Sequence, residues 1–290
     1  MDLKTILIES INILQTQGIE HARYECELII SHYLEIPRGD LYFEFDKKLD
    51  KHHVNEIQNA VKERSLHKPL QYILGSVYFL EYPIIVNENV LIPRPETEFM
   101  VDLVIKHTTH LEMNEESKSQ NTTVLDLCTG SGAIAIALKK KLPFTTIYAT
   151  DICEKALEVA NSNAKMNDCE IYLLQSDLFE VFSEINKSEK HFDIIISNPP
   201  YISEQDYQSL APELFFEPKK ALIAGNNGFG FIIKIIEQAK KFLKKEGLLY
   251  LEIGYNQAKE IKKIVKEMGY SEFTIYKDMS GKQRIVRLRY

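Results

Sequence analysis

Four consecutive residues, Asn198-Pro199-Pro200-Tyr201, follow the apolar run Phe192-Asp193-Ile194-Ile195-Ile196-Ser197. Proline fixes its own φ and lacks an N–H, and an X-Pro bond drives the preceding residue out of the helical region. A strand must therefore stop at Asn198. Left at its carboxyl end is a rigid pair of acceptors, the Asn198 side-chain oxygen and the Pro199 carbonyl, with no proline amide to occupy either. Such a pair accepts hydrogen bonds from some other group. Because N-P and P-P pairs also mark ordinary turns, the motif gains meaning only from its company.

That company lies upstream. In VLDLCTGSGAIAIAL a strand runs into Cys128-Thr129-Gly130-Ser131-Gly132 and directly into a helix, an arrangement that lets backbone approach a ligand at a helix N-terminus. The spacing is neither G-x-G-x-x-G nor G-x-x-x-x-G-K-[ST], so the dinucleotide and P-loop fingerprints are both absent. Asp151 ends the next strand, 19 residues beyond Gly132, where an acidic residue can accept hydrogen bonds from ribose hydroxyls. Capping the helix that begins near Glu154 is its plainer role, and one carboxylate can serve both. Asp177 ends IYLLQSD and, taken alone, reads equally well as a turn residue. Polar groups at successive strand ends point to one crevice, since ligands of open α/β sheets bind at the carboxyl ends of the strands.

The elements that must hold these residues follow from periodicity. Residues 1–75 read as a small helical unit: DLKTILIESINILQTQG has apolar residues at 3, 6, 7, 11 and 14 before Gly18, and HARYECELIISHYLE and VNEIQNAVKERS continue the pattern. Over 76–95, Pro83, Pro93 and Pro95 rule out a continuous helix and a linker hairpin is expected. In 96–290, near-continuous apolar strands (TVLDL, TIYATD, IYLLQSD, FDIIISN, LLYLEIG) alternate with helical stretches that include GFIIKIIEQAKKFLKKEG, the pattern of a parallel sheet covered on both faces. The polar stretch EMNEESKSQN, 112–121, reads as an exposed connection. FTIYKDMSGKQRIVRLRY closes the chain as two strands joined by a turn.

The net charge of −7 argues against a protein that grips nucleic acid mainly through its phosphates. MDLKTILIES lacks the features of a signal or transit peptide, and no run approaches a membrane span. Cys26, Cys128, Cys153 and Cys169 have no C-x-x-C pairing or zinc spacing and read as reduced thiols in a cytoplasmic protein. His52 and His53 read as part of a solvated helix face.

Taken together, the motifs resemble the class I S-adenosylmethionine-dependent methyltransferases that modify planar nitrogen atoms and carry (D/N/S)-P-P-(Y/F/W) at this strand end. NVLIPRPETEFMVD, VLDLCTGSGAIAIAL, LQSD, SNPPYI, EPKKALIAGNNGFGFIIKIIEQA and RIVRLRY are similar to the release-factor glutamine N5-methyltransferase family, HemK/PrmC, over essentially the whole chain. The resemblance implies a Rossmann-like class I methyltransferase sheet, mostly parallel with an antiparallel C-terminal hairpin, plus an all-helical N-terminal domain that recognises the substrate. It also implies methyl transfer to the glutamine of the Gly-Gly-Gln motif of class 1 peptide chain release factors, in a cytoplasmic monomer with neither membrane nor nucleic acid as direct partner.

Carried over to this chain, the resemblance makes Asn198, Pro199, Pro200 and Tyr201 the catalytic set. It puts S-adenosylmethionine, with S-adenosylhomocysteine as product, on Cys128 to Gly132, on Asp151 through the ribose, and on Asp177 and Leu178 through the adenine. Asp126 becomes the partner of the methionine ammonium, directly or through water, and Asn198 borders the same site. Cys128 departs from the glycine usual in the family, so the loop must keep φ negative there or carry strain. Arg94 and Glu96 are expected to close over the site, with an ordinary salt-bridged linker as the alternative, and Glu252 and Gly254 to support the sheet. A ribosomal-protein glutamine methyltransferase is the near alternative, disfavoured because that group has a Pro-Arg-Ser-Pro type stretch where this chain has Pro93-Arg94-Pro95-Glu96. An adenine-N6 or guanine-N2 nucleic-acid methyltransferase is the wider alternative, supported by Lys282, Arg284, Arg287 and Arg289 in the tail. A binding module without activity is the third.

Overall fold

The computed structural model describes residues 1–112, 122–185 and 191–290, so most of the polar stretch 112–121 lies outside the described residues. The chain divides into two compact units.

The first comprises Met1–Ser76 together with Ala211–Phe216. Helices α1 (Leu3–Thr16), α2 (Ala22–Leu34) and α3 (Lys51–Ser65) and the short α4 (Leu70–Leu74) form it. Asp2 caps α1 by accepting the Thr5 N–H at 2.8 Å, and Asp50 caps α3 through His53 N–H at 2.9 Å, which satisfies donors that a helix start leaves open. Leu3, Ile6, Leu7, Ile29, Ile30 and Ile57 share the core. The 211–216 segment is held to this unit through Glu213, whose carboxylate meets the buried Arg64 guanidinium at 3.1 Å.

The second unit begins with a hairpin, β1 (Ser76–Phe79) and β2 (Tyr82–Ile85), followed by α5 (Pro95–Glu112), which opens on a proline where no N–H is needed. Then come β3 (Thr123–Leu127), α6 (Ala133–Lys141), β4 (Thr146–Asp151), α7 (Glu154–Met166), β5 (Tyr172–Gln175), α8 (Glu180–Ile185), β6 (Phe192–Ser197), α9 (Glu204–Tyr207), α10 (Lys219–Leu222), α11 (Gly230–Phe242), β7 (Leu243–Glu252), α12 (Ala258–Lys266), β8 (Glu272–Lys277) and β9 (Gln283–Arg289). The sheet runs β5-β4-β3-β6-β7-β9-β8, parallel from β5 to β7 and antiparallel at β9 and β8. Val124, Leu125 and Leu127, like Ile194 to Ile196, are buried, as strands covered on both faces require.

The helical pattern read through residue 247 stops earlier. Helix α11 ends at Phe242, and Leu243 already pairs with Phe192 on β6. Lys-rich sequence favours helix locally, but pairing with β6 and burial of Leu243 and Gly247 outweigh that preference.

One buried side chain ties the hairpin to the sheet's loops. Asn163 on α7 accepts the Ile85 N–H at 2.7 Å and donates to the carbonyls of Ile85 and Ser131, both at 2.9 Å. Replacing it by alanine leaves three backbone groups unpaired. The Asn163→Ala protein is expected to lose about 2–3 kcal/mol of stability, read as a lower urea midpoint at unchanged slope; an unchanged midpoint would refute the assigned role.

Candidate active site

The chain starts its sheet at β3, winds outward through β4 and β5, then crosses back to β6 on the other side of β3. The loops leaving β3 and β6 diverge at this reversal, and a crevice opens between them. In-register pairing of Leu127 with Ser197 brings the two strand ends level, and the Ser197 hydroxyl donates to the Leu127 carbonyl at 2.7 Å. A cavity of about 290 Å³ lies there, entirely within the second unit.

Of the residues singled out from the sequence, Cys128, Thr129, Gly130, Ser131, Asp151, Asp177, Leu178, Asn198 and Pro200 line this cavity. Gly132, Pro199 and Tyr201 stand outside its wall, and so does Asp126, which is fully buried at the base of the glycine loop. Strand alternation explains Asp126: it sits two residues before Cys128, still inside β3, and its carboxylate accepts the Thr129 hydroxyl at 2.6 Å.

The glycine loop is pinned on both sides. Thr129 N–H donates to the Thr150 carbonyl and Gly130 N–H to Asp151 Oδ2, each at 2.9 Å. Gly132 has φ +80°, and a Cβ there would stand 3.1 Å from that of Ala160, so a side chain would strain the backbone and press against α7. Cys128 has φ +59°; of the two outcomes open to it, the loop carries the strain. Leu178, also in the cavity wall, has φ +52°. Non-glycine residues in this region cost of order 1–3 kcal/mol and persist where the surroundings over-determine them.

Burial dominates the electrostatics. It pushes the Asp126 carboxyl up to about 7, the neighbouring Asp151 adding to the rise and the Thr129 hydroxyl opposing it. Asp126 Oδ1 is buried with no hydrogen-bond partner among the described residues. Asp151 is also raised by burial, against the lowering effect of the Cys153 and Gly130 amides. Its two oxygens each accept one of those bonds at 2.9 Å. A carboxylate oxygen has two lone pairs, so each keeps capacity for another donor. Burial likewise raises the Cys128 thiol well above its usual range.

Sequence reasoning missed the groups that hold Asn198-Pro199-Pro200-Tyr201 in place. Asn198 Nδ2 donates to Thr97 Oγ1 at 3.0 Å, Thr97 Oγ1 donates to Glu252 Oε2 at 2.6 Å, and the Tyr201 hydroxyl donates to Glu252 Oε1 at 3.2 Å. Gln257 Nε2 donates to the Tyr201 carbonyl at 3.2 Å and to that of Gly228 at 3.0 Å. Gly228 has φ +89°, and a Cβ would stand 2.5 Å from the Tyr201 oxygen. The one sequence signal was Glu252 itself, a carboxylate in the otherwise apolar run LLYLEIG. Arg94 forms an ion pair with the buried Glu217, whose carboxylate also accepts the Ile92 N–H at 3.1 Å. This anchors Pro93 and Pro218, which line the cavity; Arg94 and Glu96 do not.

The chain matches a family model described as Methyltransferase small domain over residues 105–227 and one described as PrmC N-terminal domain over residues 5–75. It is 38% identical to a release factor glutamine methyltransferase of Thermodesulfovibrio yellowstonii, over 91% of each chain. A relative with the same description from Fusobacterium nucleatum is 34% identical over 97% of this chain and 77% of its own. A bifunctional methyltransferase of Rickettsia bellii is 33% identical over 99% of this chain, which spans 54% of that protein. Among solved structures, a 16S rRNA N2 methyltransferase of T. thermophilus in complex with AdoMet and guanosine has a TM-score of 0.50 at 16% identity, covering 74% of this chain and 49% of that one. The N-terminal domain of human METTL16 in complex with SAH also gives 0.50, at 18% identity over 71% and 74%. At such identities the two structures show a common fold.

The buried Asp126 carboxyl makes stability depend on pH in a defined sense. Its folded pKa lies above the unfolded value, so the folded chain holds the extra proton between roughly 4 and 7 and this contribution is lost as pH rises through that window. Comparing Asp126→Asn with the parent at pH 5 and pH 8 by urea unfolding, the difference is expected to move in the variant's favour by about 2 kcal/mol. A pH-independent difference would show that Asp126 titrates normally.

Proposed function

The chain belongs to the release factor glutamine methyltransferase family, and we propose on that premise that it methylates the side-chain amide nitrogen N5 of the glutamine in the Gly-Gly-Gln motif of class 1 release factors. It is an S-adenosylmethionine-dependent methyltransferase. The observation that carries the substrate reading is that Asn198 and Pro200 line the same cavity as the glycine loop and Asp151. A methyl donor and a planar amide would thus meet in one cavity.

The residues present fit the cofactor. The cavity approaches the size range of small-molecule sites. Asp151 has acceptor capacity left on both oxygens, as a ribose diol requires. Two carboxyls whose ionisation burial opposes, Asp126 and Asp151, suit a ligand that brings positive charge. When bound, S-adenosylmethionine supplies an electrophilic methyl group on a sulfonium. Asp151 would hold the ribose; Cys128 to Ser131, with Asp126 behind them, the methionine portion; Asp177 and Leu178 the adenine.

A glutamine amide nitrogen is a poor nucleophile, because its lone pair is delocalised into the carbonyl. Positioning and polarisation must make up the deficit. Asn198 Oδ1 and the Pro199 carbonyl would accept the two N–H bonds, orient the nitrogen and stabilise positive charge as it develops there. Pro200 and Tyr201 would bound the planar group. We assign the helical unit at residues 1–75 to recognition of the protein substrate, in agreement with its match to the PrmC N-terminal domain.

A protein substrate is favoured over nucleic acid by the state of the basic tail. Arg284 pairs with Asp278 at 3.3 Å, Arg287 with Glu272 at 3.0 Å, and Arg289 with Glu272 at 3.3 Å; Lys282 stands over the Tyr255 ring at 5.6 Å. The three arginines of the tail are thus held in ion pairs within the chain.

Labelled S-adenosylmethionine with a purified class 1 release factor, a variant lacking the motif's glutamine, and bulk RNA and DNA test this reading. Label is expected on the intact factor alone; label on nucleic acid would overturn it. Asn198→Ala should lower methyl transfer by at least ~100-fold, the scale of losing a donor or acceptor aimed at developing charge, while cofactor affinity by calorimetry stays within a few-fold. Equal loss of both would remove Asn198 from the acceptor role.

A further inference from the structure

An asparagine amide can turn either its oxygen or its NH2 group toward a ligand, and the two choices select opposite partners. At Asn198 the choice is determined one and two side chains away. Thr97 Oγ1 has a single proton and stands 2.6 Å from Glu252 Oε2 and 3.0 Å from Asn198 Nδ2. An ionised carboxylate only accepts. Thr97 must then donate to Glu252, and its two lone pairs can only accept, so the NH2 end of Asn198 is drawn to it and Oδ1 is left for the cavity. Glu252 is 1% exposed and Thr97 4%, so both groups of the relay are buried, with Thr97 reaching the cavity wall.

We propose that Glu252 is a positioning residue which, through the Thr97 hydroxyl, sets the polarity of the Asn198 amide and thereby admits a substrate that presents N–H bonds. This rests on the reading above, in which Asn198 accepts from the substrate amide. It goes beyond it because neither Thr97 nor Glu252 lies in the motif, and Glu252 does not line the cavity.

The relay is reversible by one proton. A protonated Glu252 can donate to Thr97, which frees the Thr97 proton for Asn198 Oδ1 and turns Nδ2 toward the cavity, where it would meet the substrate N–H donor to donor. Burial pushes the Glu252 carboxyl up to about 7, with Thr97 and Tyr201 lowering it, Glu96 raising it and Arg284 lowering it. Those groups face it from α5, from the loop after β6 and from β9; Arg94 acts on Tyr201 from the segment before α5. The oriented state therefore belongs to the alkaline side of that range.

Two readouts on the full chain test the relay. The first is the Asn198 side-chain amide signal in protein labelled with 15N-asparagine, identified by its loss in Asn198→Ala and followed from about pH 5.5 to 8.5 without substrate. The second is kcat for methyl transfer to the release factor over the same range at saturating S-adenosylmethionine. Wild type and Thr97→Ser should share an inflection near 7 in the amide signal and an acid limb in kcat. Thr97→Val, similar in shape but without the hydroxyl, should lose the inflection and the limb. Its kcat at the alkaline end should be about tenfold lower, the scale of one misdirected hydrogen bond, with cofactor Kd unchanged.

A flat Asn198 signal in wild type, or a Thr97→Val enzyme that keeps inflection and rate, would overturn the proposal. So would a Thr97→Ser enzyme as slow as Thr97→Val, since the methyl group rather than the hydroxyl would then matter. If wild type transfers no methyl to the release factor, the functional reading fails by itself, and the amide titration still decides the relay.

Discussion

The parallel pairing of β3 with β6 is the interaction on which the site depends. Leu127 lies opposite Ser197, so the glycine loop and the Asn198 turn leave the sheet at the same level and diverge. A slip of one residue would reverse which face each side chain meets and would separate the two loops. The Ser197 hydroxyl bonded to the Leu127 carbonyl reinforces the register at the last paired position. The buried runs on either side enforce it, since Leu125 and Ile195 pair directly and share the core.

Given that register, the loops must still be rigid, and rigidity is obtained by burying polar groups and accepting strain. Cys128 and Leu178 hold left-handed backbone conformations at the cavity wall, with Gly132 at a tight contact and Gly228 where a Cβ would collide with backbone. Gln257 fixes the Tyr201 carbonyl from the start of α12, and Glu217 fixes the segment before α5. Gln257 and Glu217 are each matched to particular backbone partners, an arrangement that specifies one conformation far more sharply than apolar packing does. Asp126 Oδ1 is, with Thr150 Oγ1, a buried oxygen left without a hydrogen-bond partner among the described residues, and it stands at the base of the loop proposed to meet a cationic ligand.

Much of this was legible in local sequence. Apolar strands ending in Gly, Asp or Asn-Pro announce both the sheet and the edge where its ligands bind, because burial on both faces leaves no other pattern for a parallel strand. Two kinds of information were not local. Whether a polar residue stands in the cavity wall or behind it depends on strand alternation and loop path, which is why Asp126 and Gly132 sit behind residues they neighbour in sequence. Partners distant along the chain were the other: Thr97 and Glu252 lie 155 positions apart, and nothing in PRPETE or LLYLEIG alone says that they touch. The end of α11 was hidden for a related reason, since Leu243 leaves the helix to pair with Phe192, far upstream.

The polar relay also bears on how such a site could distinguish glutamine from glutamate, two side chains of nearly equal shape. Shape complementarity discriminates poorly between isosteres, whereas a buried hydrogen-bonding group left unpaired or facing its own kind discriminates strongly. If Asn198 Oδ1 and the Pro199 carbonyl accept from the substrate as proposed, a glutamine brings two N–H donors and satisfies them. A glutamate would bring only lone pairs and negative charge, into a cavity whose wall already includes Asp151, a carboxyl whose ionisation burial opposes. Selectivity of this kind needs no additional contact to the wrong substrate; it follows from fixing the Asn198 amide in one orientation, and a freely turning amide would surrender part of it by offering its NH2 group to the carboxylate.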